Sequence, residues 1–221
     1  MKNLVMKDLR LTTKMNIFAL LYGIIIGFTG LMINDVYRSK TMYIVGMSLS
    51  IYIVAIYTSG FEGRAKSDII LNSFPINRID IVKAKYVSMI IYIILGGMFI
   101  IIPTQIFKLI GSFSGKVGNP ASLFDFLFVL ALSLIFYSIY LPFYYKSDDG
   151  LRTFNQVFYM IMIIIPGVIG KLGKKIEGTE LFSYIIGMDL KSVILILLGL
   201  GVVLYIISLQ ISKQIYLKRE F

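Results

Sequence analysis

Val193–Leu209 reads VILILLGLGVVLYIISL, with thirteen Leu, Ile and Val residues and no charge. On an insertion scale those side chains favour the bilayer by roughly −4 to −8 kcal/mol. Nothing in the run argues for the core helix of a soluble domain. It is the centre of a longer apolar segment, Ser192–Ile211, and a helix of about 20 such residues crosses the hydrocarbon of a bilayer. Five further runs have the same character: Met15–Asn34, Thr41–Gly60, Tyr86–Phe107, Ser122–Phe143 and Phe154–Ile169. The fifth in chain order is the shortest and is interrupted by Pro166 and Gly167.

The whole chain agrees with its runs. Of 221 residues, 57% are apolar, 14% aromatic and 15% charged, with a mean hydropathy of +0.84. Soluble domains lie nearer half apolar and about a quarter charged. Six spans take about 120 residues, and the remainder falls into short pieces. The expectation is therefore a single all-α integral membrane domain over residues 1–221, with no separate soluble domain. The first run is too long for the apolar part of a secretory leader, and no small-residue cleavage site is followed by a soluble mature region. It reads as a retained span.

His, Cys and Trp are all absent, which excludes imidazole acid–base chemistry, thiolate nucleophiles, disulfides and Cys/His zinc sites. Lys and Arg outnumber Asp and Glu by 22 to 12. On so apolar a chain that surplus points to anionic headgroups and membrane orientation rather than to nucleic acid. Fourteen basic residues fall on one side: Lys2, Lys7, Arg10, Lys14, Arg64, Lys66, Arg78, Lys83, Lys85, Lys146, Arg152, Lys213, Lys218 and Arg219. The other side holds eight. The positive-inside rule then puts both termini in the cytoplasm.

On a helical wheel, residues 1–14 line up Asn3, Lys7, Arg10 and Lys14, with Leu4, Val5, Leu9 and Leu11 around the remaining arc. That pattern suits a helix lying on the membrane, its basic stripe on the headgroup phosphates. Asp8 falls inside the apolar arc and interrupts it. A solvated basic leader that only sets topology is the alternative.

The longest cytoplasmic piece, Phe61–Lys85, reads FEGRAKSDIILNSFPINRIDIVKAK. Ser67–Asn72 has helical character with an apolar Ile69-Ile70-Leu71 patch. Ser73-Phe74-Pro75 then breaks it, because a residue preceding proline avoids the α region. Asn77 followed by Asp80 is a capping pair that restarts a helix, which continues through Ile81, Val82 and Ala84 into the third span. Helix, proline turn and capped helix together make a rigid lever.

This stretch resembles a known family. Leu71-x-Ser73-x-Pro75-Ile76-Asn77-Arg78-x-x-Ile81-Val82-x-Ala84-Lys85-Tyr86 is similar to the cytoplasmic loop of the membrane subunits of type-two ABC exporters. Phe74 replaces the usual Leu there and Asn77 the usual Ser or Thr. The resemblance implies six transmembrane helices, an amino-terminal amphipathic interfacial helix (1–14), and a cytoplasmic coupling helix between spans two and three (61–85). It also includes an amphipathic outer piece, Glu180–Ile186. It assigns contact with the ATPase subunit to Glu62, Asp68, Ile69, Ile70, Leu71, Ser73, Phe74, Pro75, Arg78 and Lys85. Within the family, the chain is similar to permeases of antimicrobial-peptide or phenol-soluble modulin exporters of Gram-positive bacteria.

No ATP site is present in this chain to drive such a machine. Gly111-Ser-Phe-Ser-Gly115-Lys116-Val117 and Gly167-Val-Ile-Gly170-Lys171-Leu172 contain Gly-Lys pairs, but neither has the spacing, or the Ser/Thr for magnesium, of a phosphate-binding loop. ATP and magnesium would belong to a separate ATPase subunit, with no cofactor bound here. The span centres are almost free of ionisable groups, which disfavours an ion-driven carrier or channel.

Other candidates are less specific. Glu62, where the second span meets the cytoplasm, is costly unless paired or solvated; it has either a basic ATPase residue or Arg64/Lys66 as partner, or it reaches into water. Gly23, Gly27 and Gly30 permit close helix approach, across an intersubunit seam or within one subunit. Tyr43, Ser48, Ser50, Tyr52, Tyr57 and Thr58, with Phe158 and Tyr159, are candidate substrate contacts or ordinary helix packing. Pro103, Pro142 and Pro166 can kink or end their spans, the last beside Gly167 and Gly170 as a flexible outer gate. Ser122-x-x-Asp125 is a capping box with a structural role.

The sequence thus points to a multi-pass bacterial cell-membrane permease without enzymatic activity of its own. It would pair with an identical or homologous permease and with ABC ATPase subunits, and export an amphipathic or hydrophobic substrate, a peptide being the first candidate. The competing class is a non-transporting immunity protein that binds a peptide toxin. An intramembrane protease is disfavoured by the missing histidine.

Overall fold

The computed structural model describes residues 1–64, 71–112, 118–146 and 189–219. They form six helices: α1 (Lys2–Leu11), α2 (Thr13–Leu31), α3 (Val36–Arg64), α4 (Arg78–Ser112), α5 (Leu123–Lys146) and α6 (Leu190–Leu217). Among the described residues there is no strand. Helices α2 to α6 are long and apolar enough to cross a membrane, which makes five candidate spans. The expected span Phe154–Ile169, the gate around Pro166, and Glu180–Ile186 lie outside the described residues.

The helices overrun the apolar windows. α3 begins at Val36 rather than Thr41, and α4 runs from Arg78 to Ser112, well beyond Tyr86–Phe107. A helix closes its own backbone hydrogen bonds, so it need not stop where the hydrocarbon does. Pro103 and Pro142 sit inside α4 and α5, and neither ends its helix.

Two packing units meet along the bundle. α5 packs along α6, and α2 packs on both α3 and α4. α2 brings Ala19, Gly23, Gly27 and Gly30 inward, all buried. A Cβ on Gly23 would fall 2.2 Å from the Phe99 carbonyl oxygen, one on Gly27 3.2 Å from Thr104, and one on Gly30 2.3 Å from the Tyr43 ring. Phe99 and Thr104 belong to α4 and Tyr43 to α3. The glycine face is thus filled within this chain, the packing that the same residues allow without a second copy.

At the end away from α1, the connection 118–122 is pinned to the bundle. Gly118 lies on the Leu31 carbonyl, where a Cβ would come within 1.9 Å of the oxygen. Tyr43 donates to the Asn119 carbonyl at 3.0 Å and Gln105 to that of Ala121 at 3.0 Å. The capping box forms reciprocally: Asp125 accepts from the Ser122 amide at 2.8 Å, and the Asp125 amide donates to Ser122 Oγ at 3.3 Å. Asp125 accordingly has the structural role its spacing indicates.

Candidate functional site: an exposed elbow on a buried charge cluster

The elbow is set by local sequence. Leu71–Ser73 is helical, the chain bends at Phe74-Pro75, and α4 starts at Arg78. Asn77 caps α4 as its sequence indicates: its side-chain oxygen accepts from the Ile79 amide at 2.9 Å, and its carbonyl from the Asp80 amide at 2.9 Å. Asp80 places negative charge in the first turn, where the helix dipole favours it. Leu71 and Ile76 pack against the core. Ser73, Phe74 and Pro75 are exposed, Phe74 by 55%. The ring of Phe74 thus stands at the tip of the turn, available for contact.

Two anchors hold the elbow from behind. Asn72 donates through Nδ2 to the Tyr216 hydroxyl at 2.9 Å, and Arg78 donates to the Arg219 carbonyl at 3.2 Å. Tyr216 lies in the last turn of α6 and Arg219 just beyond it. Arg78 therefore makes a contact within the chain, which its place in the motif did not indicate.

Beneath the elbow lies a cluster of four charges. Glu62 accepts from Lys7 at 3.0 Å, from Tyr144 at 2.8 Å and from Lys85 in a close contact. Asp8 pairs with Lys7 at 3.2 Å and with Lys85 at 3.8 Å. Lys85 also sits over the Tyr144 ring, 5.4 Å from its centroid. Two cations face two anions, so the cluster is formally neutral. Glu62 and Lys85 are each only 4% exposed. Burial at that level is tolerable only because each charge is paired and hydrogen-bonded.

Among the described residues the partners of Glu62 are Lys7, Lys85 and Tyr144 of the same chain, and its carboxylate is buried; Lys66 and the side chain of Arg64 lie outside what the structure describes. Lys7, Asp8 and Tyr144 were not recognised as site residues from sequence. The available signal was Asp8 itself, which interrupts the apolar arc of α1 because it turns inward to the charges of α3 and α4. Leu4 and Leu9 pack against the core on either side of it, so α1 is docked on the bundle through a mixed face.

Burial pushes the Asp8 carboxyl above the usual carboxylate range; Lys85 opposes this, Glu62 adds to it, and Lys7 and Ser88 oppose it. The folded state thus holds that proton more tightly than the unfolded chain. Its contribution to stability grows as pH falls through the window between the ordinary and the raised value, and is lost as pH rises through it. Asp8→Asn lacks this term. The unfolding temperature of the wild type minus that of Asp8→Asn is expected to rise as the pH is lowered from neutral towards the ordinary carboxylate value of 3.8 in thermal scans of solubilised protein; a difference that stays flat or falls contradicts the assignment.

The other expected residues are dispersed. Tyr43 and Ser50 are buried, the Tyr43 hydroxyl on Asn119 and the Ser50 hydroxyl on the Met47 carbonyl at 2.9 Å. Tyr57 stacks on Phe61 at 6.4 Å and is partly exposed. Ser48 and Thr58 bond to backbone carbonyls one turn back, and Tyr52 meets Phe136 edge-on at 5.5 Å. Asp68, Ile69, Ile70, Phe158 and Tyr159 lie outside the described residues.

The family model described as ABC-2 family transporter protein matches residues 3–217, and the chain belongs to that family. No curated protein and no solved structure matches it. Membership identifies the chain as a multi-pass membrane subunit of an ABC transporter, a class that works with an ATPase subunit.

Proposed function

We propose that the chain forms the translocation pathway of an ATP-driven exporter. Two permease subunits, identical or homologous, associate with two ATPase subunits that bind ATP and magnesium. With the run expected at Phe154–Ile169 the chain would have six spans, α1 rests at the headgroup level, and the elbow end faces the cytoplasm together with both termini. The cargo is amphipathic or hydrophobic, with a peptide the first candidate, in keeping with span centres nearly free of ionisable side chains. Closure of the ATPases pushes residues 68–81 and alternates the cavity between the two sides.

The observation that carries this reading is the exposed Ser73-Phe74-Pro75 tip on a firmly anchored turn. A tip backed by Asn72, Arg78 and the charge cluster transmits force instead of yielding to it. Gentle solubilisation of a tagged chain expressed with its ATPase is expected to retain that subunit. Phe74→Asp is expected to cut retention by about 10-fold or more, the effect of losing a central aromatic anchor, with the unfolding temperature unchanged because the ring lies outside the core. Failure of the wild type to retain an ATPase would overturn the proposal.

A further inference from the structure

α6 is apolar almost throughout, yet Tyr205, Ser208, Ser212 and Tyr216 recur at three- and four-residue spacing, so they share one helix face. All four are buried. Each reaches the beginning of α4 or the elbow. Tyr205 donates to the Tyr86 carbonyl at 2.8 Å; Ser208 and Ser212 bond the Tyr86 hydroxyl at 2.7 and 2.8 Å; Tyr216 accepts from Asn72 at 2.9 Å. The Tyr86 and Tyr205 rings meet at 4.9 Å, and Tyr216 is held edge-on by Tyr145 of α5 at 5.1 Å. Arg78 adds its bond to the Arg219 carbonyl just beyond the helix.

From this ladder we infer that α6 is strapped to the elbow, and that Tyr86, Asn72 and Tyr216 are positioning residues carrying elbow movement into the last span. The inference rests on the proposed docking of an ATPase at the elbow. The physical reason is directional stiffness. Apolar side chains facing each other across α4 and α6 can slide with little loss, whereas a hydroxyl ladder spanning three turns fixes both the rotation and the axial register of one helix against the other. A push on the turn at Phe74 then reaches α6 directly, and through its long packing on α5 it reaches the second packing unit. Interhelical hydrogen bonds are individually weak in membranes, so Tyr→Phe changes that keep every ring in place loosen the strap without unfolding the bundle.

The test uses the permease–ATPase complex. The chain has no cysteine, so Arg38→Cys at the outer end of α3 and Lys191→Cys at the outer end of α6 place spin labels without background. Labels are read without nucleotide and after trapping with ATP and vanadate. In the wild type the interlabel distance is expected to shift on trapping. In Tyr86→Phe/Tyr216→Phe the shift should fall to about half or less, while the complex still assembles and hydrolyses ATP. Asn72→Ala, at the half-buried edge of the elbow, should reduce it to a smaller extent, and Asn72→Asp, which can accept from the Tyr216 hydroxyl, should restore it. A full shift in both the double variant and Asn72→Ala, or a wild-type complex that hydrolyses ATP with no movement of α6, overturns the strap alone. A wild type that retains no ATPase overturns the functional reading and the strap with it.

Discussion

Glu62→Ala is expected to destabilise the solubilised protein by about 3–5 kcal/mol, the usual cost of stripping one partner from a buried ion pair. Among the described residues the loss leaves Lys85, 4% exposed, with only Asp8 at 3.8 Å as a carboxylate partner, and leaves the cluster with one excess positive charge. It also removes the acceptor of Lys7 and Tyr144. Four elements lose a common tie, so α1 should loosen first and show faster amide exchange than α5. Combining Glu62→Gln with Lys85→Met should recover much of the stability, because neither charge is then left alone. A single variant within about 1 kcal/mol of the wild type would mean that the pair behaves as a solvated surface bridge.

Gly23→Leu should have an equally large effect for a steric reason. Even the first carbon of the new side chain would stand 2.2 Å from the Phe99 backbone oxygen, and a backbone carbonyl inside α4 cannot swing away. Gly23→Ala is expected to cost about 1–3 kcal/mol as α2 is pushed off α4, and Gly23→Leu to yield no monodisperse protein in size-exclusion chromatography. Gly60 and Gly199 provide the contrast, since among the described residues nothing stands within 4 Å of a Cβ at either. Alanine there should be neutral or stabilising by about 0.5–1 kcal/mol, the ordinary helix preference. If Gly23→Leu behaves like Gly199→Ala, α2 and α4 are not in this close contact.

The sequence makes the helices legible because the signal for a span is one-dimensional: a long run with no charge. Five of the six expected spans coincide with described helices, and the remaining one, Phe154–Ile169, lies outside the described residues. The turn between Leu71 and Arg78 is legible for the same reason, since proline and an Asn cap act on their immediate neighbours. What pairs across the bundle is not local. Asp8 and Lys85 are separated by most of the first three helices, and only the fold shows that the carboxylate breaking the α1 pattern meets the lysine closing the loop motif. The glycine face was visible as a face, while the identity of its neighbour was not. On α6 the hydroxyl spacing was in plain view, but thirteen aliphatic residues dominate any average taken over the run.

Membership of the ABC-2 transporter family fixes the class of machine; which surface receives the motor is the central claim. A photo-crosslinking amino acid at Phe74, activated in membranes containing the permease and its ATPase, addresses it most directly. The account predicts one nucleotide-sensitive adduct between this chain and the ATPase subunit. A Phe74 probe that labels only lipid or water while ATP is being hydrolysed by the assembled complex would contradict it.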